Sequence, residues 1–144
     1  MGCQPVTAIL LDPHVLIWLL QGSDRLGQRS LAQIRAAAET DTLLLAAISP
    51  WEIAMLVAKG RLALDRDVGD WVAAALVLPG IALAPLLPEI AVASIRLPGI
   101  LHADPADRLI VATARHHNAA LITDDDLLLD YGKAGHVKTF RASR

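Results

Sequence analysis

Short apolar runs of strand length alternate with longer helical segments along this chain. The runs at 8–11, 43–48, 81–83 and 120–122 are continuous and apolar, which is typical of buried strands. The other segments have helical length and spacing of apolar residues, at 14–20, 26–39, 51–59, 67–78, 88–96 and 103–117. A short helix to Tyr131 and an edge strand at 136–139 complete the pattern. Since no hairpin turn joins the runs, the order predicts an α/β fold with a mainly parallel sheet.

The composition indicates a large buried core in one domain. The chain has 144 residues, of which 54% are hydrophobic and 19% charged, and this balance excludes a disordered protein. We therefore expect a single domain over 1–144. Aromatic residues make up only 3%, so aliphatic side chains must fill the core. A platform that stacks bases on rows of aromatic side chains is not expected.

Several features predict a soluble, cytoplasmic protein. Cys3 is the only cysteine, which excludes an intrachain disulfide and a thiolate zinc site. Asp12, Pro13 and His14 interrupt the first apolar stretch, so it does not match a signal peptide. No apolar run reaches the length needed to cross a membrane.

Acidic residues follow the predicted strands. Asp12 ends the first run, Glu52 lies in the helix after the second, and Asp104 and Asp107 open a later helix. The acids at 124–126 follow the last buried run. In a parallel sheet these groups meet at one edge, where two charges about 4 Å apart repel by roughly 4 kcal/mol at an effective dielectric near 20. Protonation or a divalent cation would relieve this repulsion, and oxygen ligands without cysteine favour Mg²⁺ or Mn²⁺.

Helix capping is the alternative explanation for each acid taken alone. Ser49 and Glu52 have the spacing of a capping box, as do Asp104 and Asp107. Asp12 and an acid of the 124–126 group could each be a simple N-cap. Capping does not require acids after several strands at once, and a lone charge directly after an apolar strand is costly unless it is paired. The clustered arrangement is therefore favoured.

Four segments of the chain resemble the PIN-domain ribonucleases, most closely the VapC toxins of bacterial toxin–antitoxin pairs. They are LLDPHVL at 10–16, SPWEI at 49–53, DPADRLIVATA at 104–114 and LITDD at 121–125. The segments cover essentially the whole chain in the order and spacing of that family. The resemblance implies a three-layer α/β/α sandwich, an endoribonuclease that depends on Mg²⁺ or Mn²⁺, an RNA substrate and a cognate antitoxin partner.

The resemblance also assigns roles to residues. The four acids of the family that hold the metal and serve catalysis fall on Asp12, Glu52, Asp107 and Asp125. Neighbouring residues could support them: Asp104 as a helix cap, and Thr123 either as a hydrogen-bond donor to a ligand or as a strand-end residue without a special role. Arg108 follows Asp107 and could hold a carboxylate or clamp a phosphate, but a structural role is favoured for it. Asp124 and Asp126 leave the position of the fourth acid open by one residue.

One departure from the family keeps other functions open. Pro13 follows Asp12, where the family commonly has a serine or threonine hydroxyl. A catalytically degenerate fold that acts only as a co-repressor or scaffold with its antitoxin is therefore an alternative. A magnesium-dependent phosphatase of the haloacid-dehalogenase type is a weaker one, because that chemistry needs an aspartate two residues after the first, and His14 stands there.

The apolar helices suggest a homodimer. A domain of this size with 54% hydrophobic residues has more apolar surface than one small core readily covers. The helices at 26–39, 51–59 and 67–78 are the candidate surfaces for a second copy and for an antitoxin. Trp18 and Trp51 are expected in the core or at these contacts.

Overall fold

The computed structural model describes residues 8–143, which form five strands and seven helices. The strands are β1 (Ile9–Leu11), β2 (Leu43–Ala46), β3 (Ile81–Ala84), β4 (Ala120–Thr123) and β5 (Lys138–Arg141). The helices are α1 (Pro13–Gln21), α2 (Gln28–Glu39), α3 (Ser49–Ala58), α4 (Val68–Leu76), α5 (Pro88–Ile95), α6 (Pro105–His116) and α7 (Asp126–Lys133). The predictions that rest on Cys3 lie outside the described residues.

The strands form one parallel sheet in the order β3-β2-β1-β4-β5. The first strand is therefore central, with β2 and β4 on its two sides. In register, Leu11 lies beside Leu45 on one neighbour and beside Ile122 on the other. Asp12, the residue directly after β1, thus lies at the carboxyl edge of the sheet at the level of Thr123. The predicted α/β class and parallel sheet are confirmed.

Helices cover both faces of this sheet, because side chains alternate along each strand. On one face, Ile9 and Leu11 belong to a core cluster with buried residues of α1 to α4. On the other face, Leu10 and Leu121 pack with buried residues of α6 and α7. The two clusters make a three-layer α/β/α arrangement with the strand ends left free between the layers.

Local sequence signals set most of the helix ends. Asp12 caps α1 and Pro13 occupies its first turn, while Gly22 ends it in the left-handed conformation at φ 64°. Asp67 caps α4 and Asp104 caps α6 through side-chain hydrogen bonds to main-chain N–H groups. In the part of the chain that is described, no helix combines the length and apolarity needed to span a bilayer.

The structure revises the bounds of the last strand and the placement of Trp51. The last strand is at the sheet edge as predicted, but it begins at Lys138 rather than at 136, because Lys138 is the residue that aligns with Ala120 of β4. Trp51 is 55% exposed, so of the two expected placements, in the core or at a subunit contact, only the second stays open. Trp18 does pack against a core cluster, beside the buried residues of α1.

Candidate active site

Asp12 is the most enclosed acid at the carboxyl edge of the sheet, with only 7% of its surface exposed. Its main-chain N–H donates to the carbonyl of Ile122 at 3.1 Å, which continues the ladder beyond β1. Oδ1 accepts a hydrogen bond from the N–H of His14 at 3.0 Å. Burial raises the pKa of Asp12, while hydrogen bonds from Thr123 and His14 oppose that rise. Asp12 is thus both a helix cap and a buried acid of the cluster.

Thr123 joins two acids across the sheet. Its hydroxyl donates to Oδ2 of Asp12 at 2.7 Å and accepts from the main-chain N–H of Asp125 at 3.1 Å. The threonine is fully buried at the end of β4, so the parallel register alone brings its side chain to Asp12. Its contact with a candidate metal ligand was one of the two possibilities that the sequence left open.

Glu52 lies in the first turn of α3 and faces the same cluster. Burial is the main cause that raises its pKa to about 8, and the charges of Asp107, Asp12 and Asp104 contribute to the same rise. Among the described residues no donor reaches its buried Oε1. The capping box with Ser49 is wrong, because Ser49 is the first helical residue and the cap position is Ile48. Glu52 is therefore free to serve the cluster.

Asp107 extends the cluster from the first turn of α6. Its N–H donates to Oδ1 of the capping residue Asp104 at 3.0 Å, as the sequence predicted for Asp104. Its Oδ2 lies 2.7 Å from Nε2 of His102. Burial raises the pKa of Asp107, the hydrogen bond from His102 lowers it, and the charges of Asp104 and Asp125 raise it.

The three acids after β4 separate into different roles. Asp125 caps α7 through Oδ1, and its charge acts on both Asp12 and Asp107. Asp124 accepts hydrogen bonds from Ser143 at the end of the described chain. The carboxylate of Asp126 is largely exposed and accepts a hydrogen bond from Arg141. Asp125 is the member of this group whose charge acts on the other site acids.

Arg108 and His102 lie beside the acid cluster, at the start of α6 and in the loop before it. Arg108 donates to the carbonyls of Ser94, Leu101 and His102, so it fixes a loop, which agrees with the structural role that the sequence favoured. His102 was not singled out, although it precedes Asp107 by five residues. Where a chain reverses at a helix cap, a residue shortly before the cap can contact the first turn of that helix. The spacing of five residues was the signal that the sequence offered.

The donor set fits a hard divalent cation. Four carboxylates from four separate segments converge, three of them with raised pKa values, and one buried carboxylate oxygen of Glu52 lacks a donor within residues 8–143. Across the same residues, no three acid or histidine side chains already stand close enough to hold one ion. The chemistry of the site therefore suits a cation, and binding would have to draw the side chains together.

A separate cavity lies at the other edge of the sheet. It has a volume of about 1120 Å³, and its lining includes the first residues of three strands, Ile9, Ala120 and Lys138. None of the clustered acids lines it. The acids instead occupy the edge where ligands of parallel α/β sheets bind.

Comparison with known proteins identifies the family. A family model described as the PIN domain matches residues 9–134. The chain belongs to the PIN-domain family. It is 36% identical over 120 residues to Ribonuclease VapC22 of Mycobacterium tuberculosis, across 83% of this chain and 88% of that relative. The phosphatase alternative is therefore wrong.

Solved structures support the fold of this PIN domain. A chain of the VapBC2 crystal structure from Rickettsia felis, bound to a DNA fragment from its promoter, superposes with a TM-score of 0.67 and 13% identity. The match covers 93% of this chain and 98% of that one. A toxin–antitoxin complex from Klebsiella pneumoniae gives a TM-score of 0.53 at 21% identity, over 82% and 87% of the two chains. At these identities the likeness concerns the fold.

Proposed function

We propose that this PIN domain is the endoribonuclease of a toxin–antitoxin pair, with Mg²⁺ or Mn²⁺ held by Asp12, Glu52, Asp107 and Asp125. The observation that carries the proposal is the buried carboxylate of Asp12 beside the partly buried Glu52 and Asp107, with the pKa of each raised. Such a group is unfavourable unless a proton or a cation compensates it. The relationship to a ribonuclease supports RNA as the substrate.

The residues of the site divide the work of hydrolysis. A bound divalent ion lowers the pKa of water and neutralises charge on a phosphate. Asp12 is held by Thr123 and by the N–H of His14, so its carboxylate keeps one orientation. Oε1 of Glu52 has no donor in the described chain and is available as a ligand. The proposed reaction is direct hydrolysis by water, with no covalent intermediate on the protein.

A nuclease assay with matched variants tests this proposal. Purified protein is incubated with mixed cellular RNA, with EDTA or with Mn²⁺, and cleavage is followed by end-labelling. Asp12→Asn is expected to abolish Mn²⁺-dependent cleavage and to keep the unfolding temperature. Asp130→Asn, whose side chain is 71% exposed and lies near Lys133, serves as the control and retains activity. Undiminished cleavage by Asp12→Asn at matched purity would overturn the proposal.

The fourth acid is tested by three asparagine variants. Asparagine keeps the N-cap hydrogen bonds that aspartate makes, so the substitution removes the charge and leaves the cap of α7. We expect Asp125→Asn to lose cleavage, whereas Asp124→Asn and Asp126→Asn keep most of it. Loss of activity in Asp124→Asn alone would move the fourth ligand to that residue.

A catalytically degenerate role is the second candidate because of Pro13. Pro13 is buried at the start of α1. Because proline has no hydroxyl, this position cannot offer one to Asp12. Thr123 supplies a hydroxyl contact to the same carboxylate from β4. The nuclease assay separates the two candidates, because a degenerate fold shows no metal-dependent cleavage at all while still binding its antitoxin.

The proposed function includes a cytoplasmic location and an antitoxin that binds and silences the protein. Chains with this fold occur in a toxin–antitoxin complex and in a promoter-bound VapBC assembly, which supports such a partner. A basic side chain of the partner inserted into the acid cluster would compete with the cation. Co-expression with the adjacent small reading frame tests this, and failure of the two chains to co-purify counts against the toxin role.

A homodimer is also proposed. The support comes from exposed apolar side chains on α3 and directly after α4, two of the helices expected to form contacts. They are Trp51, Val77 and Leu78. Others lie on α5 and after it, and the helix at 88–97 was also expected in the core or at a subunit contact: Val92, Ile95 and Ile100. Light scattering at tens of micromolar protein measures the mass, and a 15.4 kDa particle would refute the dimer.

A further inference from the structure

We propose that His102 is a positioning residue for Asp107: its ring holds one carboxylate oxygen so that the other is presented to the cation. The inference rests on the proposed metal site and adds a residue to it. Nε2 of His102 lies 2.7 Å from Oδ2 of Asp107, and the two side chains are 24% and 20% exposed. No hydrogen bond to Oδ1 of Asp107 occurs within the described chain, so that oxygen is available.

The second ring nitrogen indicates what the histidine is for. Nδ1 of His102 is buried, and no partner for it exists among residues 8–143. A buried polar atom without a hydrogen bond costs about 1–3 kcal/mol. The ring therefore keeps a place that satisfies only Nε2, and the group it satisfies is Asp107.

Arg108 fixes the segment that carries this ring. Its Nη1 donates to the carbonyl of Leu101 at 3.1 Å and to that of His102 at 3.5 Å, and its Nε donates to Ser94 at 2.9 Å. Arg108 is the residue after Asp107 on α6. The same helical turn thus anchors the main chain of His102 and receives its side chain, which leaves the ring little freedom relative to the carboxylate.

A carboxylate held in this way loses less freedom when it binds an ion. Partners that hydrogen-bond to a metal ligand typically change metal affinity by about 10–100-fold when they are removed. Asp12 already has such a donor in Thr123. His102 supplies the equivalent contact to Asp107.

Metal binding without RNA tests the inference. Mn²⁺ affinity is measured by calorimetry on the wild type, His102→Ala, His102→Gln and the control His116→Ala, which changes an exposed histidine in the last turn of α6. We expect His102→Ala to bind Mn²⁺ about 10-fold more weakly. His102→Gln restores most of the affinity, because its amide N–H reaches a position similar to that of Nε2. His116→Ala binds like the wild type.

The outcomes separate this inference from the metal site itself. If the wild type binds Mn²⁺ and Asp12→Asn does not, the site exists; wild-type affinity in His102→Ala then overturns only the role of His102. Equal weakening in His102→Gln and His102→Ala also overturns it, because the hydrogen bond would not be the cause. A wild type that binds no Mn²⁺ overturns both. Unfolding curves of the metal-free variants are recorded, and His102→Leu, which has no hydrogen-bonding group, takes the place of His102→Ala should that variant fail to fold.

Discussion

Each acid of the site meets burial with a different set of hydrogen bonds. Asp12 accepts from Thr123 and His14, and Asp107 is paired with His102 through one oxygen. Glu52 has no donor on its buried Oε1 from any described residue, and its pKa rises to about 8. Glu52 therefore keeps its proton into the neutral range when no cation is bound.

The raised pKa of Glu52 makes the stability of the metal-free protein depend on pH. The folded state holds a proton that the unfolded chain releases near 4.5, so the stability is complete below that pH and falls as pH rises towards 8. Glu52→Gln removes this titrating group. Between about pH 5 and about pH 8.5 we therefore expect the unfolding free energy of the variant to fall by roughly 1–2 kcal/mol less than that of the wild type, a figure reduced because Glu52 is partly exposed. Denaturant unfolding in EDTA measures it. Equal pH dependence in wild type and variant would contradict the assignment.

Thr123→Val removes the hydroxyl and keeps the shape of the side chain. Asp12 then loses a donor and the N–H of Asp125 loses an acceptor. We expect kcat/KM for Mn²⁺-dependent RNA cleavage to fall about 10–100-fold, as for other groups that orient metal ligands. Thr123→Ser keeps the hydroxyl and serves as the control. A valine variant as active as the serine variant would show that the contact has no part in the reaction.

At the scale of elements, capping and site formation use the same side chains. Asp12, Asp104 and Asp125 each cap a helix that follows closely on a strand or loop at the carboxyl edge. A cap must stand at a helix N-terminus, and the N-termini of α1 and α7 follow directly on β1 and β4. Helix capping thus brings Asp12 and Asp125 to the edge where they meet Glu52 and Asp107, so the two explanations of these acids are compatible.

Gly80 tests how closely α2 approaches the start of β3. It has φ +87°, and a Cβ there would lie 2.7 Å from Cα of Ala38 and still closer to the carbonyl oxygen of that residue. We expect Gly80→Ala to cost at least about 2 kcal/mol of unfolding free energy, since both the backbone and the packing resist it. Gly60→Ala is the control, at φ +69° with nothing within 4 Å in the described structure. It should cost about 1 kcal/mol, from backbone strain alone.

At the scale of the whole molecule, charge is unevenly distributed. The formal net charge is −2, and without the four acids of the site the rest of the chain carries +2. An acid cluster on a weakly basic body repels a polyanion at the site itself and attracts it only slightly elsewhere. Substrate binding must then depend on the cation and on a small number of phosphate contacts.

The salt dependence of RNA binding follows from this charge. We expect Asp12→Asn, which prevents cleavage, to bind single-stranded RNA with a shallow slope of log affinity against log salt, corresponding to about five phosphate contacts or fewer at about 0.7 per contact. Fluorescence anisotropy over a range of salt concentrations, in EDTA, provides the slope. A slope equivalent to roughly eight or more released counterions would contradict the picture.

The sequence by itself determined the order of strands and helices, the parallel sheet, the family, and Asp12, Asp104, Asp107 and Asp125 as the acids at helix starts. These features are encoded locally, because apolar periodicity, proline at a helix start and acid caps act over a few residues. The single domain over 1–144 and the homodimer stay predictions. So does the metal-ligand role of the four acids.

Only the tertiary structure decided which side chains touch. The hydrogen bond between Thr123 and Asp12 joins residues 111 apart, and the sheet register sets its existence. The packing of separate segments likewise decides which loop carbonyls Arg108 binds and where His102 lies. It also leaves Oε1 of Glu52 without a donor among residues 8–143. Local spacing shows that an acid begins a helix, but the donor that holds its carboxylate comes from elsewhere in the fold.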